Sequence, residues 1–147
     1  MFDWRMRRGF TLVELIVVLI VIGVTCSVAL PRLRDTLDRI AVERSAADVS
    51  LALAVARNAA VMWATRARLL VAADSLRIDR WADTGWAMRR SWPGPAGHGV
   101  ALEVSNDEVV FGPTGMGWGA SNTKIVLRRG SHSATLTTSR LGRVKRW

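Results

Sequence analysis

The sequence predicts an α+β protein, a long N-terminal helix followed by a C-terminal domain of antiparallel β-sheets packed on that helix. Three observations predict it. Residues 10–31 are almost continuously apolar, and residues 32 to about 64 are Ala-rich with a helical period. From about Arg66 the period shortens toward two, with Gly, Pro, Asn and Ser at the breaks. A chain of 147 residues is long enough for one globular domain beyond the apolar stretch and too short for two.

Residues 1–9 form a short basic leader with Arg5, Arg7 and Arg8, ending in Gly9. From Phe10 to Leu30 a helix rising about 1.5 Å per residue reaches roughly 30 Å, the thickness of a bilayer's hydrocarbon core. The three arginines would hold the N-terminal end in the cytoplasm and send the rest outward. A secretory signal is cut after its apolar region, whereas the Gly9-Phe10 junction precedes this one. Cleavage there would remove the charged leader and leave the helix as an anchor. Retention of residues 1–9 would instead make the segment an uncleaved signal anchor. Glu14 is the one charge within the run. Near the centre of a bilayer it would cost about 2.5–3.5 kcal/mol, less toward the interface. It lies either at the headgroup level or against a partner.

Gly9-Phe10-Thr11-Leu12-Val13-Glu14-Leu15, with Pro31 closing the apolar run, resembles the processing motif of type IV prepilin-like proteins. The resemblance implies cleavage after Gly9 by prepilin peptidase and N-methylation of Phe10. It also implies an assembly role for Glu14, pairing with the α-amino group of Phe10 on a neighbouring subunit.

Beyond Pro31, which should bend the helix, the amphipathic segment runs from Arg32 to about Ala64. Leu33, Leu37, Ile40, Ala47, Leu51, Val55 and Met62 recur at three, four or seven residues and are expected to face the core. The predicted strands are 68–72, 85–90, 99–104, 108–111, 123–128, 133–138 and 143–147. Between them lie the turn clusters Pro93-Gly94-Pro95-Ala96-Gly97, Ser105-Asn106-Asp107, Gly112 to Asn122 and Arg129-Gly130-Ser131.

The formal charge of +9 divides into +2 over residues 1–9, −1 over 10–31 and +8 over 32–147. A basic exported domain can meet nucleic acid, anionic headgroups or an acidic partner, or simply be soluble. Cys26, the only cysteine, excludes an intramolecular disulfide. His98 and His132 have no metal-type spacing, and no carboxylate pair marks acid–base catalysis. Gly112 to Gly119 lacks the Gly-Lys-Ser/Thr ending of a phosphate loop. The sequence therefore predicts neither enzyme, cofactor nor metal site. That loop is mobile or a partner contact, with Trp118 as its anchor. Trp63, Trp86 and Trp92 are expected in or beside the core, Trp81 and Trp118 at the surface.

Four further segments resemble H-type minor pseudopilins, the GspH group of type II secretion systems, which share a domain with FimT and FimU minor pilins. They are Ala56-Arg57-Asn58-Ala59-Ala60, Gly85-Trp86, Val110-Phe111-Gly112-Pro113-Thr114-Gly115 and Leu141-Gly142-Arg143-Val144. The resemblance implies three segments: a leader (1–9), a transmembrane and assembly helix (10–31), and a periplasmic domain (32–147). It implies an inner-membrane protein with one span, assembled into a periplasmic pseudopilus that serves protein export. Its partners would be other minor and major pseudopilins, prepilin peptidase, and the inner-membrane platform with its cytoplasmic ATPase. The basic tail, Arg143, Lys145, Arg146 and Trp147, is similar to that of FimT-type minor pilins that bind DNA during uptake. Lys145 stands where a second Arg would match better. Phosphates and a stacked base would suit these residues. So would an edge strand whose charges prevent edge-to-edge pairing.

Overall fold

The computed structural model describes residues 10–119 and 121–147, so Gly9 and the leader lie outside the described residues. Helix α1 spans Leu12–Met62 and contains Pro31. The chain divides into two units, Met1–Thr36 and Leu37–Trp147.

In the first unit every described residue is exposed, apolar side chains included. The helix is long and apolar enough to cross a membrane. Its few hydroxyls are satisfied within it, Thr25 Oγ1 donating to the Val21 carbonyl and Ser27 Oγ to the Val24 carbonyl, both at 2.7 Å. Internal satisfaction of polar groups is what a lipid environment requires.

In the second unit α1 buries Val42, Ala46, Val49, Leu53, Ala56 and Ala60, at alternating steps of four and three. This corrects the expected stripe, because Leu37, Ile40, Ala47, Leu51 and Met62 are exposed, as is Leu33 in the first unit, and Val55 is half-buried. The buried face is built mainly of Ala and Val with Leu53, and the bulkier Leu face is left outside. The helix ends in a Schellman arrangement. The Thr65 amide donates to the Ala60 carbonyl (3.2 Å) and the Ala64 amide to the Val61 carbonyl (3.1 Å), with Ala64 left-handed at φ 49°.

Eight strands follow: β1 (Ala67–Val71), β2 (Ser75–Ala82), β3 (Gly85–Pro93), β4 (Ala101–Val104), β5 (Glu108–Phe111), β6 (Thr123–Arg129), β7 (His132–Thr138) and β8 (Val144–Arg146). They form two antiparallel four-stranded sheets, ordered β3-β2-β1-β5 and β4-β6-β7-β8. Strand β2 was not expected from the sequence. The Pro93 to Gly97 cluster closes β3 and supplies a 3-10 turn (Pro95–His98), which delays β4 to Ala101. Between β2 and β3 the register slips: Ile78 faces Arg90 and Asp79 faces Met88, so Arg89 is the extra residue of a bulge.

Alternation along the strands sends one face inward. Ala67, Leu69, Val71, Leu76, Ile78, Val109 and Phe111 from the first sheet share one core with Ile125, Leu127, Ala134 and Leu136 from the second and with the buried face of α1. Polar ties sit around this core. Arg129 Nε donates to Asp38 Oδ1 at 2.7 Å, and Arg129 Nη1 donates to the His98 carbonyl. His98 Nε2 lies 3.2 Å from Asp48 Oδ2. The helix is thereby tied to the β6–β7 hairpin and the 3-10 turn.

Candidate assembly and contact sites

Phe10 is 82% exposed ahead of α1. Thr11 caps the helix, its Oγ1 accepting the Glu14 amide at 3.2 Å and its carbonyl accepting the Leu15 amide at 3.2 Å. Thr11 is thus the N-cap, with Glu14 at the third helical position. A carboxylate there is favoured by the helix dipole, by about 0.3–1 kcal/mol. Among the described residues no cation lies within ion-pair distance of Glu14. Sequence reasoning missed the role of Thr11, although a Thr three residues before a Glu at the head of an apolar run is its signature.

The tail is an edge strand. β8 pairs with β7 at Leu136↔Arg146, Thr137↔Lys145 and Thr138↔Val144, and backbone bonding continues from Trp147 to Thr135 (2.9 Å). Arg143, Lys145, Arg146 and Trp147 are all exposed. Lys145 Nζ sits 3.5 Å from the Trp147 ring centroid, which occupies one face of the indole and leaves the other. The turn before β8 is anchored from the helix. Arg57 Nη1 donates to the Gly142 carbonyl at 3.4 Å, Gly142 is left-handed at φ 71°, and a Cβ there would lie 2.6 Å from the Gly115 carbonyl. Three segments singled out in the sequence, around Arg57, Gly115 and Gly142, therefore meet at one point. A shallow groove lined by Thr123, Lys124, Thr137, Ser139 and Arg140 runs beside the tail.

Trp118 is not part of the tail cluster. Its amide donates to the Val110 carbonyl at 2.8 Å, extending the edge beyond β5, and its ring lies 5.5 Å from the Arg66 guanidinium. Trp81 and Trp86 stand together on the same sheet, both half-buried, so Trp81 is less exposed than its position in the sequence suggested. Trp63 and Trp92 are half-buried as expected, against the core. Among the described residues no group of three or more His, Cys, Asp and Glu is placed to hold a metal ion.

Residues 4–30 match the prokaryotic N-terminal methylation motif. The chain has a type IV prepilin-like N-terminus. Its fold is that of the type IV minor pilin FimU of Pseudomonas aeruginosa, with a TM-score of 0.61 at 16% identity over 71% of this chain and 86% of that one. A second crystal form of FimU gives 0.59 at 15% identity over 71% and 91%. The minor pseudopilin EpsH from the type 2 secretion system of Vibrio cholerae gives 0.58 at 10% identity, over 72% of this chain and 95% of that one. Among curated proteins nothing matches the sequence. One chain thus joins a prepilin-like N-terminal motif to a pilin-like α+β fold.

Proposed function

We propose that this protein is a minor pseudopilin of a type II secretion system, a tip subunit of a periplasmic pseudopilus that takes part in protein export. The observation that carries the reading is a methylation motif at the head of a wholly unburied apolar helix, in a chain whose second unit has the two-sheet fold shared with EpsH. In this reading prepilin peptidase cuts after Gly9 and methylates Phe10, and the helix anchors the chain in the inner membrane. Glu14 then pairs with the Phe10 amine of a neighbouring subunit, which satisfies two charges at once in an apolar bundle and sets the register. Minor and major pseudopilins assemble with it on the inner-membrane platform, driven by the cytoplasmic ATPase. The test is export by the cells that make the protein: a Gly9→Val variant should stay unprocessed and secretion should fall, whereas normal processing and secretion would contradict the reading.

The exposed cations of the tail favour a second reading, a type IV pilus minor pilin that binds DNA. Affinity of the full chain in detergent would then fall steeply with salt. Changing Arg143, Lys145 and Arg146 to Gln would flatten the log–log slope by about 2 to 3, near 0.9 for each phosphate no longer neutralised. An unchanged slope would leave β8 as a charge-protected edge.

A further inference from the structure

The sheet ordered β3-β2-β1-β5 turns Ala67, Leu69 and Val71 inward, so Arg66 and Arg68 belong to its outer face together with Arg77, Asp79 and Trp81 of β2. Trp86 and Met88, paired with Trp81 and Asp79, and Glu108 of β5 share that face. The Arg66 guanidinium stands between two indoles, 4.3 Å from the Trp81 centroid and 5.5 Å from that of Trp118. Trp81 meets Trp86 edge-on at 5.2 Å, and Arg68 lies 4.6 Å over Trp86. Met88 is 65% exposed and Trp118 56%.

The charges on this face are unequal. Arg68 is answered by Asp79 at 2.8 Å and Glu108 at 3.6 Å, and Arg77 by Asp79 at 3.0 Å. Among the described residues no carboxylate lies within ion-pair distance of Arg66. One guanidinium is thus held in place by aromatic rings with its charge unanswered, beside an exposed Met and an exposed Trp. Polyanionic nucleic acid is a poor match, because Asp79 and Glu108 would repel phosphates and Arg66 and Arg68 already cover indole faces that bases would stack on. Trp, Arg and Met around a fixed charge are the composition of a protein-contact centre. Covering Arg66 without a counter-charge would leave a desolvated cation, so the partner must bring a carboxylate.

The geometry points to a protein-docking face centred on Arg66, whose occupant is a neighbouring subunit presenting one Asp or Glu within an apolar patch. This rests on the subunit reading above only for the identity of the occupant. Its test is photocrosslinking in the cells that make the protein, using the full chain with p-benzoylphenylalanine at Met88, and at Leu51 on the exposed side of α1 as reference. An adduct at Met88 is expected to join one protein through a peptide containing Asp or Glu. Arg66→Gln should lower its yield at least about tenfold, the scale of removing one charge-assisted hydrogen bond. The purified Arg66→Gln chain should keep its far-ultraviolet circular dichroism, since the Trp81 amide bonds to the Arg66 backbone carbonyl and not to its side chain. Arg66→Lys should be intermediate, keeping the charge but losing the planar stack. Arg66→Glu should abolish the adduct, and an Arg at the partner's acidic position should restore it. An adduct to nucleic acid, an adduct indifferent to Arg66, or silence at Met88 while Leu51 still crosslinks would overturn the docking face alone. Silence at both positions with residues 1–9 retained would overturn the subunit reading with it.

Discussion

Asp79 is nearly inaccessible, yet it holds two arginines, Arg68 Nη2 at 2.8 Å and Arg77 Nη2 at 3.0 Å. Removing it would leave both cations on the sheet without their nearest counter-charge. Asp79→Ala should therefore destabilise the chain by about 3 kcal/mol, the lower end for breaking a buried pair because Arg77 retains contact with water. A thermal melt showing an unchanged midpoint would contradict this. At Glu14 the backbone amide is capped by Thr11 Oγ1, which leaves the side chain for the proposed intersubunit pairing. Substitution tests that pairing, because Gln keeps the size of the side chain but carries no charge. Both Glu14→Gln and Glu14→Ala should insert into the membrane normally and be depleted from the sheared filament fraction. Normal assembly of the Gln variant would contradict the pairing.

At the end of α1, Ala64 adopts a left-handed conformation that glycine tolerates without penalty. Ala64→Gly should raise stability by up to about 1 kcal/mol, a rare gain from removing a methyl group. Leu53, fully buried on the helix face, should cost about 2–5 kcal/mol as Leu53→Ala, whereas Leu51→Ala, on the exposed side of the same turn, should stay within about 0.5 kcal/mol. Chemical denaturation of the three variants checks both statements. The contrast between Leu51 and Leu53 also shows where the sequence was readable. Helix length, the sheet class and seven of the eight strands follow from local periodicity. The buried face of α1 is built mainly of Ala and Val with a single Leu, so side-chain size and hydropathy do not separate it from the exposed Leu face. Strand β2 escaped because Arg77, Asp79 and Arg80 break its apolar pattern. Their compensation comes from Arg68 on β1 and from ring contacts such as Arg80 over Trp63 at 5.9 Å. A strand-length window around β2 contains neither partner, and the Arg66 cluster was hidden for the same reason. The N-terminal motif was legible because its chemistry is contiguous.

For the whole molecule, the two units ask for different solvents. The first exposes a membrane-length apolar helix, and the second carries a formal charge of +7 around one packed core. That division suits a subunit that waits in a membrane and is withdrawn into a filament, where neighbouring helices replace lipid. The account depends most on the order of events at the N-terminus, which mass spectrometry of the mature protein isolated from its own cells reads directly. The account predicts a chain beginning at N-methylated Phe10, having lost residues 1–9, with Gly9→Val blocking both changes. A chain that retains residues 1–9, or one cut after the apolar run, would contradict it.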